Sequence, residues 1–193
     1  HGWDKGVLVF RSFPLADKEA IADYLREEMQ RFIETNHMEK EVIITGFLKP
    51  KEVREEMKKS HIFVFSSDYK EGWGAVMNEA MNAGCAVVAG HGAGSVPFLI
   101  EHGKNGLIYK SCDIDELTGH LRDLCRNPER CRDLGSKAYQ TIAAEWNPVV
   151  AGERLLKLCR LLTEGKIQFE KSGPLSEAVA VKERKMYRKL TGK

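Results

Sequence analysis

The sequence predicts an open parallel α/β sheet with helices on both faces, and three observations predict it. Short β-branched or aromatic runs alternate with longer amphipathic stretches, the strand–helix–strand order of a parallel sheet with right-handed crossovers. These runs are apolar throughout and do not alternate, as befits strands covered on both faces. A chain of 193 residues, 42% hydrophobic and 30% charged, is also long enough to bury a real core without disulfides or a structural metal. The same composition excludes a disordered or collagen-like chain. No apolar run approaches the roughly 20 residues of a membrane span.

In chain order, VLVF at 7–10 is a weaker strand candidate, followed by an amphipathic helix over 17–35. VIIT at 42–45 is a clear strand candidate, and Pro50 opens a helix over 50–58, where its missing N–H costs nothing. IFVF at 62–65 and AVVA at 86–89 are the remaining clear strands, with a helix over 75–83 between them. A helix over 96–101 leads to a weaker strand, LIY at 107–109. From Asp113 the pattern turns helical: Asp113 opens one helix, Pro128 punctuates, and Leu155, Leu156, Leu158, Leu161 and Leu162 line another. Gly and Pro break the period over 163–176, which predicts a loosely attached tail.

Charge is unevenly spread. Residues 182–193 carry a net +5, so the body before them sums to −3 and the basic balance belongs to the tail. That tail reads as a solvated or frayed last helix; weak peripheral contact with an anionic membrane is its functional alternative, and no nucleic-acid partner is expected. The five cysteines form no CxxC pair and no finger-like spacing with histidine, so no zinc site is expected. An odd number of thiols with no secretion signal points to a reducing, cytoplasmic compartment, with the inner face of the membrane as its margin. Cys85, inside CAVVA, reads as a small buried hydrophobe. The first residue is His1 and no targeting pattern follows, so the chain is expected to be a fragment.

Ligands of open α/β sheets bind outside the carboxyl ends of the strands. The segment leaving 62–65 contains Gly72 and Gly74 just before the helix over 75–83. Glycines there let a phosphate approach the free amides of the first helical turn, where the helix dipole also favours negative charge. Glu71 and Glu79 bracket that turn with seven residues between them, and each carboxylate can accept hydrogen bonds from sugar hydroxyls. Hydroxyl, diphosphate and hydroxyl recognition in sequence is the layout of a nucleotide-sugar site; a glycine-rich turn with two solvated glutamates is the bland reading. Trp73 either stacks on a sugar ring or packs under the loop. Gly92, Gly94 and Ser95 either form an anion-binding nest or cap the helix at Pro97. His91 reads as a turn histidine open to water, and His61 as structural.

The stretch from Val42 to about Leu156 resembles the C-terminal, donor-binding domain of GT-B glycosyltransferases, specifically glycosyltransferase family 4 (glycosyl transferases group 1). The words that carry the resemblance are HIFVFSSDYKEGWGAVMNEAMNAGCAVVA, GSVPFLIEHGKNGLIY and RNPERCRDLGSKAYQTIAAEWN, in this order. They hold an E-x7-E element at Glu71 and Glu79, an Asn105-Gly106 turn, and closing helices ending at Trp146. The resemblance implies a Rossmann-like fold and an enzyme transferring a hexosyl group from a nucleoside-diphosphate sugar, a UDP-linked one being expected, with retention and without a metal or other cofactor. It implies that Glu71 is the catalytic-site carboxylate on the transferred sugar, and that Gly72, Trp73, Gly74, Ala75 and Val76 line sugar and diphosphate. It further implies that Glu79 holds the ribose and that Gly46, Phe47 and Leu48 edge the base.

The sequence departs from the family early. Of its Arg and Lys–Gly diphosphate ligands, only Lys5-Gly6 has a counterpart, and Lys5 reads either as that ligand or as a surface lysine; Arg11 is an unconvincing substitute for the Arg. The resemblance thus implies a donor-binding domain over 1–165, divergent through 1–40, and a C-terminal extension with a basic tail over 166–193. The acceptor, whether glycan, lipid or small molecule, belongs to an N-terminal half supplied in cis or as a separate chain, without which no turnover is expected. The alternatives are a non-catalytic nucleotide-binding remnant or scaffold module, and a GT-B sugar-nucleotide epimerase.

Overall fold

The computed structural model describes residues 18–67, 69–177 and 183–192. The chain divides into two compact units, His1–Glu56 and Met57–Lys193. In the first, helix α1 spans Lys18–Thr35 and is laced on its surface by Arg31 with Glu28 at 2.6 Å and by Gln30 with Glu34 at 2.9 Å. Among its described side chains Ile33 is the buried one. The chain leaves α1 through His37, whose φ of 54° reverses its direction, and the Met38 N–H closes the turn on the Ile33 carbonyl. Helix α2, Pro50–Lys59, begins at the proline as expected; the Glu52 carboxylate reaches back to accept the Lys49 N–H at 2.6 Å.

The predicted strand at 42–45 is not one. Its residues lie in irregular backbone, because a strand exists only where a neighbour completes the ladder, and none does so among the described residues. The candidate at 7–10 and Lys5 lie outside the described residues, as does Arg11.

The second unit carries the sheet. Strands β1 (Ile62–Phe65), β2 (Ala86–Gly90) and β3 (Leu107–Tyr109) pair in parallel in the order β1-β2-β3. The register sets Val64 beside Val88 and Ala89 beside Ile108. Central β2 is buried along its whole length. Burying Val87 and Val88 contributes about 1.5–3 kcal/mol each, so the continuous apolar run is what places this strand in the middle. Helices α3 (Ala75–Asn82), α4 (Val96–Leu99), α5 (Ile114–Arg126) and α6 (Pro128–Ala144) surround the sheet. This is a Rossmann-like open parallel arrangement.

The core joins Ala86, Val88, Leu107 and Tyr109 of the sheet to Leu124 of α5 and Cys131 and Leu134 of α6. Gly135 lets α6 approach closely, since a Cβ there would overlap the Gly84 carbonyl at the α3–β2 turn. Asp113 caps α5 by accepting the Glu116 N–H at 2.9 Å, and Asn127 caps α6 by accepting the Arg130 N–H at 3.1 Å. Helix α7, Pro148–Thr163, carries the predicted leucine row but buries none of its side chains.

The tail departs from expectation. Helix α8, Glu183–Thr191, is docked rather than frayed: the Tyr187 ring stands edge-on to His91 at 5.5 Å, and its hydroxyl donates to Glu116. Met186, Tyr187 and Leu190 are half-buried, and Lys185, Arg188 and Lys189 are exposed.

Candidate functional site

Two of the loops leaving the carboxyl edge of the sheet interlock. The loop after β1 enters α3 at Gly74, which sits in the left-handed region at φ 78°. A Cβ at Gly74 would overlap the Phe65 ring and lie 3.3 Å from the Glu71 Cγ, so this position requires glycine twice over, by backbone angle and by space. Gly72, in contrast, faces open space. The Gly74 carbonyl accepts the Met77 N–H at 2.9 Å to start α3, and Gly74, at the N-cap position, has no side chain with which to cap it. The amides before Met77 have no intrahelical acceptor. Glu71 and Glu79, on either side of this turn, are both half-buried. Ala75 is exposed, whereas the Val76 side chain is turned into the core, leaving only its backbone to a ligand.

The loop after β2 braces this turn from below. A Cβ at Gly94 would overlap the Gly72 carbonyl, and the Ser95 N–H donates to the Trp73 carbonyl at 3.2 Å. Three of the amides around this bend are committed. The His91 N–H goes to the Tyr109 carbonyl at 3.0 Å, the Gly92 N–H to the Ser111 hydroxyl at 3.2 Å, and the Ser95 N–H to loop 71–74. Nor does the Ser95 side chain cap α4. His91 is not the water-exposed turn histidine that the sequence suggests. It is 8% exposed, its Nδ1 accepts the Ser111 N–H at 2.9 Å, and Tyr187 covers its ring.

Trp73 packs. Its ring lies 5.4 Å from Trp146 and 5.6 Å from Phe98, centroid to centroid, and its Nε1–H donates to the Asn78 Oδ1 at 2.8 Å. Of the two readings open at the sequence level, packing under the loop is the one observed, although the residue remains 37% exposed. Asn78 and Phe98, partners in this arrangement, carried no signal in the sequence; Trp146 did, as the end of the closing-helix word.

Of the remaining candidates, Gly46 adopts φ 65° and Phe47 is 91% exposed, with Leu48 half-buried; all three belong to the first unit. Asn105 of the Asn-Gly turn is structural. Buried, it donates to the Leu99 carbonyl and the Thr141 hydroxyl, both at 2.9 Å, and accepts the Glu101 N–H at 2.7 Å. Among the described residues no cluster of three or more His, Cys, Asp or Glu side chains is placed to hold a metal ion, and no helix is long and apolar enough to cross a membrane.

Solved structures share this architecture. The C-terminal domain of a glycosyl transferase group 1 family protein from Francisella tularensis superposes with a TM-score of 0.59 at 23% identity, covering 64% of this chain and 63% of that one. Anabaena HepE in complex with UDP superposes with a TM-score of 0.65 at 23% identity, covering 80% of this chain and 40% of that one. By sequence, the chain is 33% identical over 88 residues to the GDP-mannose-dependent alpha-(1-6)-phosphatidylinositol monomannoside mannosyltransferase of Mycolicibacterium smegmatis, covering 46% of this chain. It spans 23% of that relative, and 31% of the spore coat protein SA of Bacillus subtilis, to which it is 29% identical over 118 residues, 61% of this chain. Residues 20–141, which take in α1 through most of α6 and the whole Glu71–Glu79 turn, match the family of glycosyl transferases group 1, and the chain belongs to that family.

Proposed function

We propose that the turn from Glu71 to Val76, with Glu79 on α3, binds a nucleoside-diphosphate hexose, and that the chain is the donor-binding part of a retaining hexosyltransferase. One observation carries this reading: a helix start with a left-handed glycine at its N-cap lies between two half-buried carboxylates at the carboxyl edge of a parallel sheet. In this reading the backbone amides of Gly74, Ala75 and Val76 and the dipole of α3 face the diphosphate, and they stabilise the negative charge that grows on it as the glycosidic bond breaks. Glu71 accepts hydrogen bonds from hydroxyls of the transferred sugar, and Glu79 from the ribose. Gly72, with nothing above it, lets the sugar approach the backbone. This charge stabilisation comes from amides and the helix dipole, with no metal invoked. For Lys5, and for Gly46, Phe47 and Leu48 of the first unit, donor binding rests on the family resemblance alone.

The UDP in the HepE complexes supports a uridine donor, and the GDP-mannose in the mycobacterial relative's name makes guanosine the competing base. Transfer itself needs an acceptor-bearing half, in cis or as a separate chain. The exposed basic face of α8 suits weak contact with an anionic cytoplasmic membrane surface.

The test is calorimetric titration of the full chain with UDP, GDP, UDP-glucose and GDP-mannose. Glu79→Ala is expected to weaken the free nucleotide and its sugar conjugate alike. Glu71→Ala is expected to weaken the conjugate by about tenfold more than the nucleotide, the loss of one to two hydrogen bonds to a charged acceptor. Equal losses for the two ligands in Glu71→Ala would contradict its role, and heats that Glu79→Ala leaves unchanged would contradict that of Glu79.

A further inference from the structure

Trp146 stands at the elbow between α6 and α7, far along the chain from the Glu71–Val76 turn, yet it is held rigidly and touches that turn's one aromatic residue. The elbow is fixed on three sides. Asn147 caps α7 by accepting the Val150 N–H at 3.0 Å and ties back by donating to the Ala143 carbonyl at 3.0 Å. Glu145 pairs with Arg154 at 3.1 Å and accepts the Ser172 hydroxyl at 2.7 Å. Arg154 in turn donates to the carbonyls of Ser172 at 2.6 Å and Pro174 at 3.1 Å, pinning residues 172–174 against the same elbow. From this mount the Trp146 ring meets Trp73 at 5.4 Å and Phe98 at 6.5 Å, while Trp73 and Phe98 meet at 5.6 Å. Three rings closing a triangle leave Trp73 with little freedom.

Trp73 is the middle residue of the glycine-led loop. Its neighbours Gly72 and Gly74 have no side chains to anchor them, so the loop's conformation depends on what Trp73 touches. Its indole N–H ties the loop forward to Asn78 on α3, and its carbonyl ties it to Ser95. We infer that Trp146 is a positioning residue: through the Trp73 ring it holds loop 71–74 in the conformation that presents the first amides of α3. This rests on the donor-binding reading for its consequence and on the ring geometry alone for its structural part.

The experiment separates the two. Amide hydrogen exchange of the full chain is compared for the unaltered protein, Trp146→Ala, Trp146→Phe, Trp73→Ala and the Trp73→Ala/Trp146→Ala pair, alongside titration with UDP and UDP-glucose. Trp146→Ala is expected to speed exchange of the Met77 and Ser95 amides, which donate to the Gly74 and Trp73 carbonyls of the loop, by about tenfold or more while β2 amides keep their protection. Trp146→Phe is expected to restore most of it, because a ring still meets Trp73. In the Trp73→Ala background, removing Trp146 is expected to add nothing. Affinity for UDP-glucose should follow the exchange, falling by about tenfold in Trp146→Ala. Unchanged exchange at Met77 and Ser95, acceleration spread equally over β2, or a Trp146→Ala effect that persists without Trp73 would each overturn the positioning role. An unaltered chain that binds neither UDP, GDP nor their sugar conjugates would overturn the donor reading instead, and the exchange pattern would still decide whether Trp146 governs the loop.

Discussion

Two glycines in one loop separate stability from binding. Gly74 needs a positive φ and the room occupied by the Phe65 ring, so Gly74→Ala is expected to cost about 1–3 kcal/mol, read as a lowered urea midpoint with an unchanged slope. Gly72 has ordinary backbone angles and open space above it. Gly72→Ala should leave the urea midpoint within about 0.5 kcal/mol of the unaltered chain while lowering the affinity for UDP-glucose, because its new methyl group stands where the sugar is proposed to lie. A Gly72→Ala chain that unfolds early, or binds as well as before, would refute that placement. Asn105 is the opposite case, a residue whose work is wholly internal. Removing its amide leaves a buried carbonyl, a hydroxyl and an N–H short of partners, and Asn105→Ala should lose about 2 kcal/mol by thermal or urea unfolding.

Among the elements, legibility followed how much of the decision was local. Strands β1, β2 and β3 were readable because each is a compact apolar run that both faces of a covered sheet demand. Helices α2 and α5 announced their starts through Pro50 and Asp113, residues whose chemistry suits a helix start whatever surrounds it, while Pro128, read as a break, proves to open α6. VIIT at 42–45 has the same apolar character as β1 and yet forms no strand, since pairing is decided by a neighbour that composition cannot supply. The tail misled for a related reason: Gly and Pro correctly marked a break over 163–176, but one tyrosine hydroxyl on Glu116 and one ring on His91 decide that α8 docks. In the candidate site, Glu71, Gly72, Gly74 and Glu79 were readable from spacing. The aromatic triangle beneath them was not, because Trp73, Phe98 and Trp146 come from three distant segments and meet only in the fold.

At the scale of the whole second unit, the thiols of Cys85 and Cys131 lie under the sheet and make its stability sensitive to alkali. Burial, with a smaller push from Cys131, raises Cys85 from 9.0 to about 11; burial and Cys125, opposed by Arg132, raise Cys131 likewise to about 11. The Cys85 thiol also donates to the Met57 carbonyl at 3.2 Å, a bond that only the protonated form can make. A group whose pKa is raised by folding favours the native state fully below its unfolded value, and that contribution is lost as pH climbs toward the folded value. Stability should therefore decline between pH 9 and about 11, and Cys85→Ala should flatten that decline even though it lowers stability at neutral pH. An equally steep decline in Cys85→Ala would show that other groups govern it, burial-raised Tyr109 being the first to examine.

The close approach of Gly94 to the Gly72 carbonyl carries a consequence for any attempt to redesign this protein. Two hairpin-like bends from separate crossovers are fitted backbone to backbone, with no side chain between them to absorb a change. Grafting a relative's 66–74 segment alone will therefore import a mismatch, and the unit of exchange that keeps its shape is the pair of segments taken together.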